Sequence, residues 1–391
     1  MFNFVNILFA MTLPHWYANN FISELSGRYI HLDHVLPLLN SFSGNCKIEY
    51  IAMSEKGKPI PMAVFGSGSK KVLAWSQMHG NESTTTKALM DFLNFLDQGD
   101  FLRGPIQQFL STHTLYAIPI LNPDGAELYT RENANGIDLN RDAQKLSQME
   151  SKALRKIFDK VNPELCLNLH DQRSIYGLPS GEPAVVSFLS PAAGPDRALT
   201  PARKIAMKYI AEMYKHLQPY LPKKIGRYDD TFNENCVGDT FTSLGVPTIL
   251  FEAGHQRQDY QREATREYIF YALAALFNLV GVDTIAKSHE EYFEIPENLK
   301  NYRDILVRNI RLDKGKSLVS LAIQYEEVLE NGDIVLKPKV DSIGELADLF
   351  GHREIDGGGA TILVNSQEKV RIGETISEIT DKEGVSIVNF K

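Results

Sequence analysis

Three short apolar runs, KVLAWSQM (71–78), LCLNL (165–169) and PTILF (247–251), run straight into ionisable residues. His79 and Glu82 follow the first, His170 and Asp171 the second, and Glu252 the third. A short apolar run bounded by turn signals reads as a buried strand. In an open sheet flanked by helices, ligands bind beyond the carboxyl ends of the strands. Strands that end this way bring residues distant in sequence to one place, so the pattern constrains fold and site together.

The segments between the runs carry the helical period. In STTTKALMDFLNFL (83–96), Leu89, Phe92, Leu93 and Leu96 share one face, and the leading hydroxyl residues can cap the helix. Further helices are predicted near 144–160, 200–217 and 262–280. The stretch 44–78 reads as successive strands, and HTLYAIPILNPDG (113–125) as a strand ending in an Asn-Pro-Asp-Gly turn. Strands alternating with helices imply an α/β fold: a mixed, largely parallel sheet with helices on both faces. The polar stretch 288–304 marks a boundary. Beyond it, short strand-like runs such as LVSLAIQYEEV and GDIVLKPKV, with one helix-like segment SIGELADLFG (342–351), imply a small β-rich domain. The expected organisation is an N-terminal extension over 1–43, a catalytic domain over 44–287 and an accessory domain over 290–391.

Composition narrows the class. With 391 residues and 43% in the hydrophobic group, the chain can bury a large core without a disulfide or structural metal. A metal site here therefore serves chemistry. The net charge of −8 and the absence of a long basic run argue against nucleic acid or an anionic membrane surface as partner. Cys46, Cys166 and Cys236 lack paired spacing, which fits a reducing compartment and a cytoplasmic location. The run MFNFVNILFAMT (1–12) lacks the basic start and cleavage site of a secretory signal and reads as a short irregular extension. IFYALAALFNLVGV (269–282) is too short to span a bilayer and reads as a buried helix. Nothing in the sequence specifies an oligomeric state.

Two histidines and a carboxylate form a known catalytic zinc set, which leaves a fourth position for water. The His-x-x-Glu spacing suits a turn that aims both side chains at one point. Singly, each residue has a plainer reading: a His-x-x-Glu pair arises often by chance, and His170 alone is a partly buried histidine. Glu252 alone is a partner for a helix start. Their common position after strands favours the metal.

The segment NPDGAELYTRENANGIDLNRD (122–142) adds the specific evidence. With it, the chain resembles the zinc carboxypeptidase (metallocarboxypeptidase) family. That family's pattern runs His-x-x-Glu, Asn-Pro-Asp-Gly, Arg, Gly-x-Asp-x-Asn-Arg, a late His and a late Glu, and all appear here in order over roughly 45–280. The resemblance implies one Zn²⁺ per chain held by His79, Glu82 and His170. It implies that Asp138 orients a ligand histidine, that Arg131 stabilises the oxyanion, and that Asn140 and Arg141 grip a terminal carboxylate. Glu252 would be the general base and then the general acid, and Tyr228 the substrate-contacting tyrosine. Asn81 stands where the pancreatic-type enzymes carry an arginine, so that substrate contact is missing. Asp239 either lines the specificity pocket or caps a helix.

The expected partner is thus a peptide, cut at the amide beside its free carboxylate. The alternative is an N-acyl amino acid substrate, as in the succinylglutamate desuccinylase and aspartoacylase group. That group shares the zinc set and Asp-Leu-Asn-Arg (138–141), and carries a β-rich C-terminal domain. A third reading is an inactive binder of peptide termini.

Overall fold

The computed structural model describes residues 12–42, 46–99, 102–279, 288–313, 315 and 317–390. Residues 1–11 of the N-terminal run and the end of the 269–282 run lie outside the described residues. The strands of the first part are β1 (Cys46–Met53), β2 (Pro59–Phe65), β3 (Lys70–Ser76), β4 (His113–Ile118), β5 (Leu165–Asp171), β6 (Val186–Leu189), β7 (Ile225–Arg227) and β8 (Thr248–Ala253). They form one sheet in the order β1-β2-β4-β3-β5-β8-β6-β7. The central β4, β3, β5 and β8 are parallel, while β1, β2 and β6 join through antiparallel pairings. The mixed, largely parallel sheet is therefore present.

The helices are α1 (Leu13–Asn20), α2 (Leu32–Ser41), α3 (Thr84–Gln98), α4 (Arg103–Thr112), α5 (Pro123–Leu128), α6 (Met149–Val161), α7 (Pro201–Leu217), α8 (Val237–Ser243) and α9 (Glu263–Leu276). Strand alternation sends successive side chains to opposite faces. Val72 and Ala74 join the core with α3, α7 and α9; Leu73 and Trp75 join the one with α6 and α8. Among the described residues, no helix is long and apolar enough to cross a membrane.

The segment ahead of β1 is well packed. Trp16 of α1 lies edge-on to Phe95 at 4.6 Å between ring centroids and stacks on Phe270 at 5.8 Å. Burying such a ring contributes about 1.5–3 kcal/mol. The loop after α1 is bound to a buried ion pair: Arg266 meets Asp91 through two contacts of 2.6 and 2.7 Å, and also donates to the carbonyls of Ile22 and Leu25.

The C-terminal part holds β9 (Tyr302–Ile310), β10 (Val319–Glu330), β11 (Asp333–Gly344) and β12 (Phe350–Asp356) in one sheet, ordered β11-β10-β9-β12. β13 (Ile362–Val364), β14 (Ile379–Asp381) and β15 (Ser386–Val388) form a second. The helix expected over 342–351 is not formed. Ser342 and Ile343 instead extend β11, paired with Ala322 and Leu321 of β10, and a turn leads into β12. The ladder to a long neighbouring strand supplies those backbone groups with partners, which outweighs a weak local helical preference.

Candidate metal centre and substrate cavity

Because β3, β5 and β8 are parallel neighbours, their carboxyl ends share one edge. His170 and Glu252 are direct cross-strand partners in the β5–β8 register. His79 and Glu82 sit on the turn leaving β3, closed by a hydrogen bond from the Glu82 amide to the His79 carbonyl at 3.1 Å.

Two motifs far apart in the pattern form one assembly. A β-carbon on Gly80 would stand 1.9 Å from the carbonyl carbon of Gly125, so only glycine allows the His79 turn to lie against the Asn-Pro-Asp-Gly segment. That segment is not a free turn. Asn122 accepts from the Gly125 amide at 2.9 Å and caps α5, while its amide nitrogen donates to the Met78 carbonyl at 3.2 Å. The start of α3 is likewise bound unexpectedly. Ser83 donates to the Arg28 carbonyl, and the amides of Thr84 and Thr85 donate to Asp171 at 3.0 and 3.1 Å.

His79 Nδ1 lies 2.8 Å from Glu82 Oε1, His170 Nδ1 lies 2.8 Å from Glu82 Oε2, and the two Nδ1 atoms are 3.2 Å apart. His79 Nε2 faces Asp138 Oδ1 at 3.0 Å. Donating there leaves the Nδ1 lone pair toward the cluster. Burial would lower the proton affinity of His79, but Glu82 and Asp138 raise it above its ordinary value. Burial lowers that of His170 despite Glu82. Glu82, though buried, is held well below the usual carboxylate range by both histidines.

The donor set fits zinc. Two nitrogens each ~2.1 Å from one tetrahedral ion stand ~3.4 Å apart, close to the separation here. Two imidazole nitrogens and a carboxylate converge within 4.8 Å of one another. Such a buried convergence of lone pairs calls for a cation, and the Arg131 guanidinium answers part of it: Nη1 lies 3.1 Å from His79 Nδ1 and 3.2 Å from Glu82 Oε1.

The cluster opens on a cavity of about 780 Å³ that Arg131, Asn140, Arg141, Tyr228 and Glu252 also line. Arg131 Nε donates to Asp138 Oδ2 at 3.1 Å. Asn140 accepts from the Val237 amide at 3.0 Å, and Arg141 donates to the Asn140 carbonyl at 2.7 Å and to Cys236 Sγ at 3.1 Å. Tyr228 shares a 2.7 Å hydroxyl contact with Tyr176. Glu252 is raised well above the ordinary carboxyl value, by burial first and then by Glu82 and Asp171. Asp239 lies both in the first turn of α8 and on the cavity wall, and burial pushes it to about 6.

Sequence reasoning did not single out Tyr176 or Arg173, which also line the cavity, since no motif marks them. Asp171 carried a signal, its place beside His170, but its role in binding the α3 amides depends on where that helix starts.

A zinc carboxypeptidase family profile matches residues 33–267. The chain belongs to the zinc carboxypeptidase family, a family of hydrolases. Carboxypeptidase 2 of Trichophyton rubrum is 26% identical over 128 residues, which are 30% of this chain and 23% of that protein. Gamma-D-glutamyl-L-diamino acid endopeptidase 1 of Lysinibacillus sphaericus is 35% identical over 83 residues, 20% of this chain and 21% of that protein. The chain thus spans under a quarter of the length of these curated relatives. In fold, it is similar to the metallo-carboxypeptidase of Burkholderia cenocepacia, with a TM-score of 0.52 at 17% identity, covering 64% of this chain and 69% of the other. The thrombin-activatable fibrinolysis inhibitor gives 0.51 at 12% identity, covering 70% and 80%.

Proposed function

We propose that this chain is a zinc-dependent metallocarboxypeptidase that hydrolyses the amide bond next to a free terminal carboxylate. The observation that carries the reading is the convergence of His79, Glu82 and His170 at 2.8–3.2 Å in one cavity with Glu252, Arg131, Asn140 and Arg141.

His79, Glu82 and His170 would hold the ion, with Asp138 orienting the His79 ring. When bound, zinc polarises the scissile carbonyl and lowers the pKa of its water from ~16 to about 7. Glu252 takes a proton from the attacking water and returns it to the leaving nitrogen, and its raised proton affinity suits the second half of that task. Arg131 stays charged and faces the oxygen on which negative charge develops, where one fixed donor is worth ~3 kcal/mol. Asn140 and Arg141 take the terminal carboxylate, for which a planar guanidinium fork is the better match than an ammonium. Tyr228, at the cavity wall, offers its hydroxyl to the peptide backbone.

The test is a peptide panel with free and amidated carboxyl termini, run beside N-acyl amino acids on protein with measured zinc content. Release of the last residue from free termini only, at one zinc per chain, is the expected result. Cleavage restricted to N-acyl amino acids, or full activity without metal, overturns the reading.

A further inference from the structure

Past Glu82 and Arg131, the substrate cavity continues into a second cleft of about 550 Å³. Its far wall belongs to the C-terminal sheet, where β10 contributes Gln324 to Glu327 and β11 contributes Lys339 to Asp341. Asn140 and Arg141 line the first cavity and not the second. With the terminal carboxylate at Asn140 and Arg141, the acyl side of the substrate therefore extends toward the C-terminal sheet. This step rests on the carboxypeptidase reading.

Most charges of the second cleft are matched. Lys339 pairs with Glu326 at 2.7 Å, Asp341 with Arg303 at 2.6 Å, and Glu327 with Arg28 at 3.1 Å. Arg173 differs: its side chain is exposed, lines both cavities, and pairs with no carboxylate among the described residues. Its field still reaches into the cleft. Burial pushes the Glu327 carboxyl up, yet Arg28 foremost, then Arg262, Tyr129 and Arg173, hold it below its ordinary value.

The residues on both sides of Arg173 are fixed. The Gln172 backbone amide donates to the Ala253 carbonyl at 2.9 Å, and its side-chain amide donates to the Ala184 carbonyl at 2.8 Å and accepts from Asn298 at 2.9 Å. The Ser174 carbonyl accepts from His352 at 2.7 Å, and its hydroxyl accepts from Gln324 at 2.7 Å. The base of Arg173 is thus fixed at the junction of two cavities, and its exposed guanidinium is within reach of a ligand in either.

We propose that Arg173 binds an anionic group on the acyl side of the scissile amide. Preferred substrates then carry two carboxylates, the terminal one at Asn140 and Arg141 and an acidic side chain upstream at Arg173. The C-terminal sheet forms the wall that directs the upstream segment past this guanidinium.

The experiment uses the full-length zinc-loaded protein and matched peptides with Glu or Gln at the penultimate position, and at the position before it. The wild type should favour one Glu peptide over its Gln partner by about tenfold in kcat/KM. Arg173→Gln should remove that preference while changing the Gln peptides less than twofold, and Arg173→Lys should restore part of it. Calorimetric binding of the same peptides to Glu252→Gln protein reads the preference without turnover, and the Kd difference should vanish when Arg173→Gln is added. Equal treatment of Glu and Gln peptides by the wild type overturns the proposal, as does an equal loss for both in Arg173→Gln. Hydrolysis without acid preference sinks only this inference, whereas hydrolysis of no free-terminus peptide sinks the carboxypeptidase reading.

Discussion

His352 of the C-terminal sheet lies 2.7 Å from the carbonyl oxygen of Ser174, four residues beyond His170. The ring donates through Nε2, so the sheet directly holds the loop that leaves the candidate metal ligand.

Replacing His352 by Phe keeps aromatic volume but leaves a half-buried carbonyl without its donor, a loss of about 1–3 kcal/mol. The deficit should depend on pH. Burial, above all, lowers the His352 pKa from 6.5 to about 4. Protons therefore favour the unfolded wild type as pH falls from 6.5 toward 4, and wild-type stability declines over that window. Urea midpoints of wild type and His352→Phe should draw together by up to ~3 kcal/mol between pH 7 and pH 4. A deficit that stays constant over this range means that His352 does not titrate as its surroundings require.

Gly80 has no room for a side chain, with its β-carbon position 1.9 Å from Gly125. Gly80→Ala should cost about 3 kcal/mol or more. It should also reduce bound zinc, because relief of the clash moves the turn carrying His79 and Glu82. Unchanged zinc content and melting temperature would show that the two segments are not in contact.

Glu252→Gln keeps shape and removes the proposed base. Zinc should remain at one per chain while kcat falls about 10²–10⁴-fold. In the wild type the base must be ionised, and burial raises its proton affinity above the ordinary carboxyl value of 4.5. Activity should therefore fall with decreasing pH at a midpoint above 4.5. A kcat/KM profile still flat at pH 4.5 contradicts the assignment.

The Asp91–Arg266 pair is fully buried on both sides. Arg266→Met leaves an unpaired buried carboxylate and releases the carbonyls of Ile22 and Leu25. It should destabilise by about 3–5 kcal/mol, with a further Asp91→Leu exchange recovering part of that. Denaturant melts of the single and double variants measure both.

The parts legible from sequence are those with local or ordered signals. Apolar runs identified β3, β5 and β8, and the facing leucines and Phe92 identified α3, because burial imposes periods that a single segment displays. The candidate ligands His79, Glu82 and His170 and the candidate base Glu252 stood out by lying at the ends of apolar runs. Other features were not legible. SIGELADLFG looks helical by composition, yet its first three residues pair with β10 and its last two with β9. Ser83 looks like the cap of α3, yet Asp171, 88 positions later, takes the amides. Arg173 and Tyr176 belong to no motif, and only the meeting of two cavities and a neighbouring hydroxyl gives them a place.

The sequence by itself determined that β3, β5 and β8 exist, which ionisable residues end them, and that two histidines and a carboxylate suited to zinc are available, since residue type and spacing suffice for that. The tertiary structure decided the strand order that brings His79 and His170 within 3.2 Å, the glycine contact that locks two motifs together, and the C-terminal wall of the second cleft. Those depend on packing between segments up to some 300 residues apart, such as Arg28 with Glu327. Contacts at that range follow from which surfaces are buried together, and no local period records them.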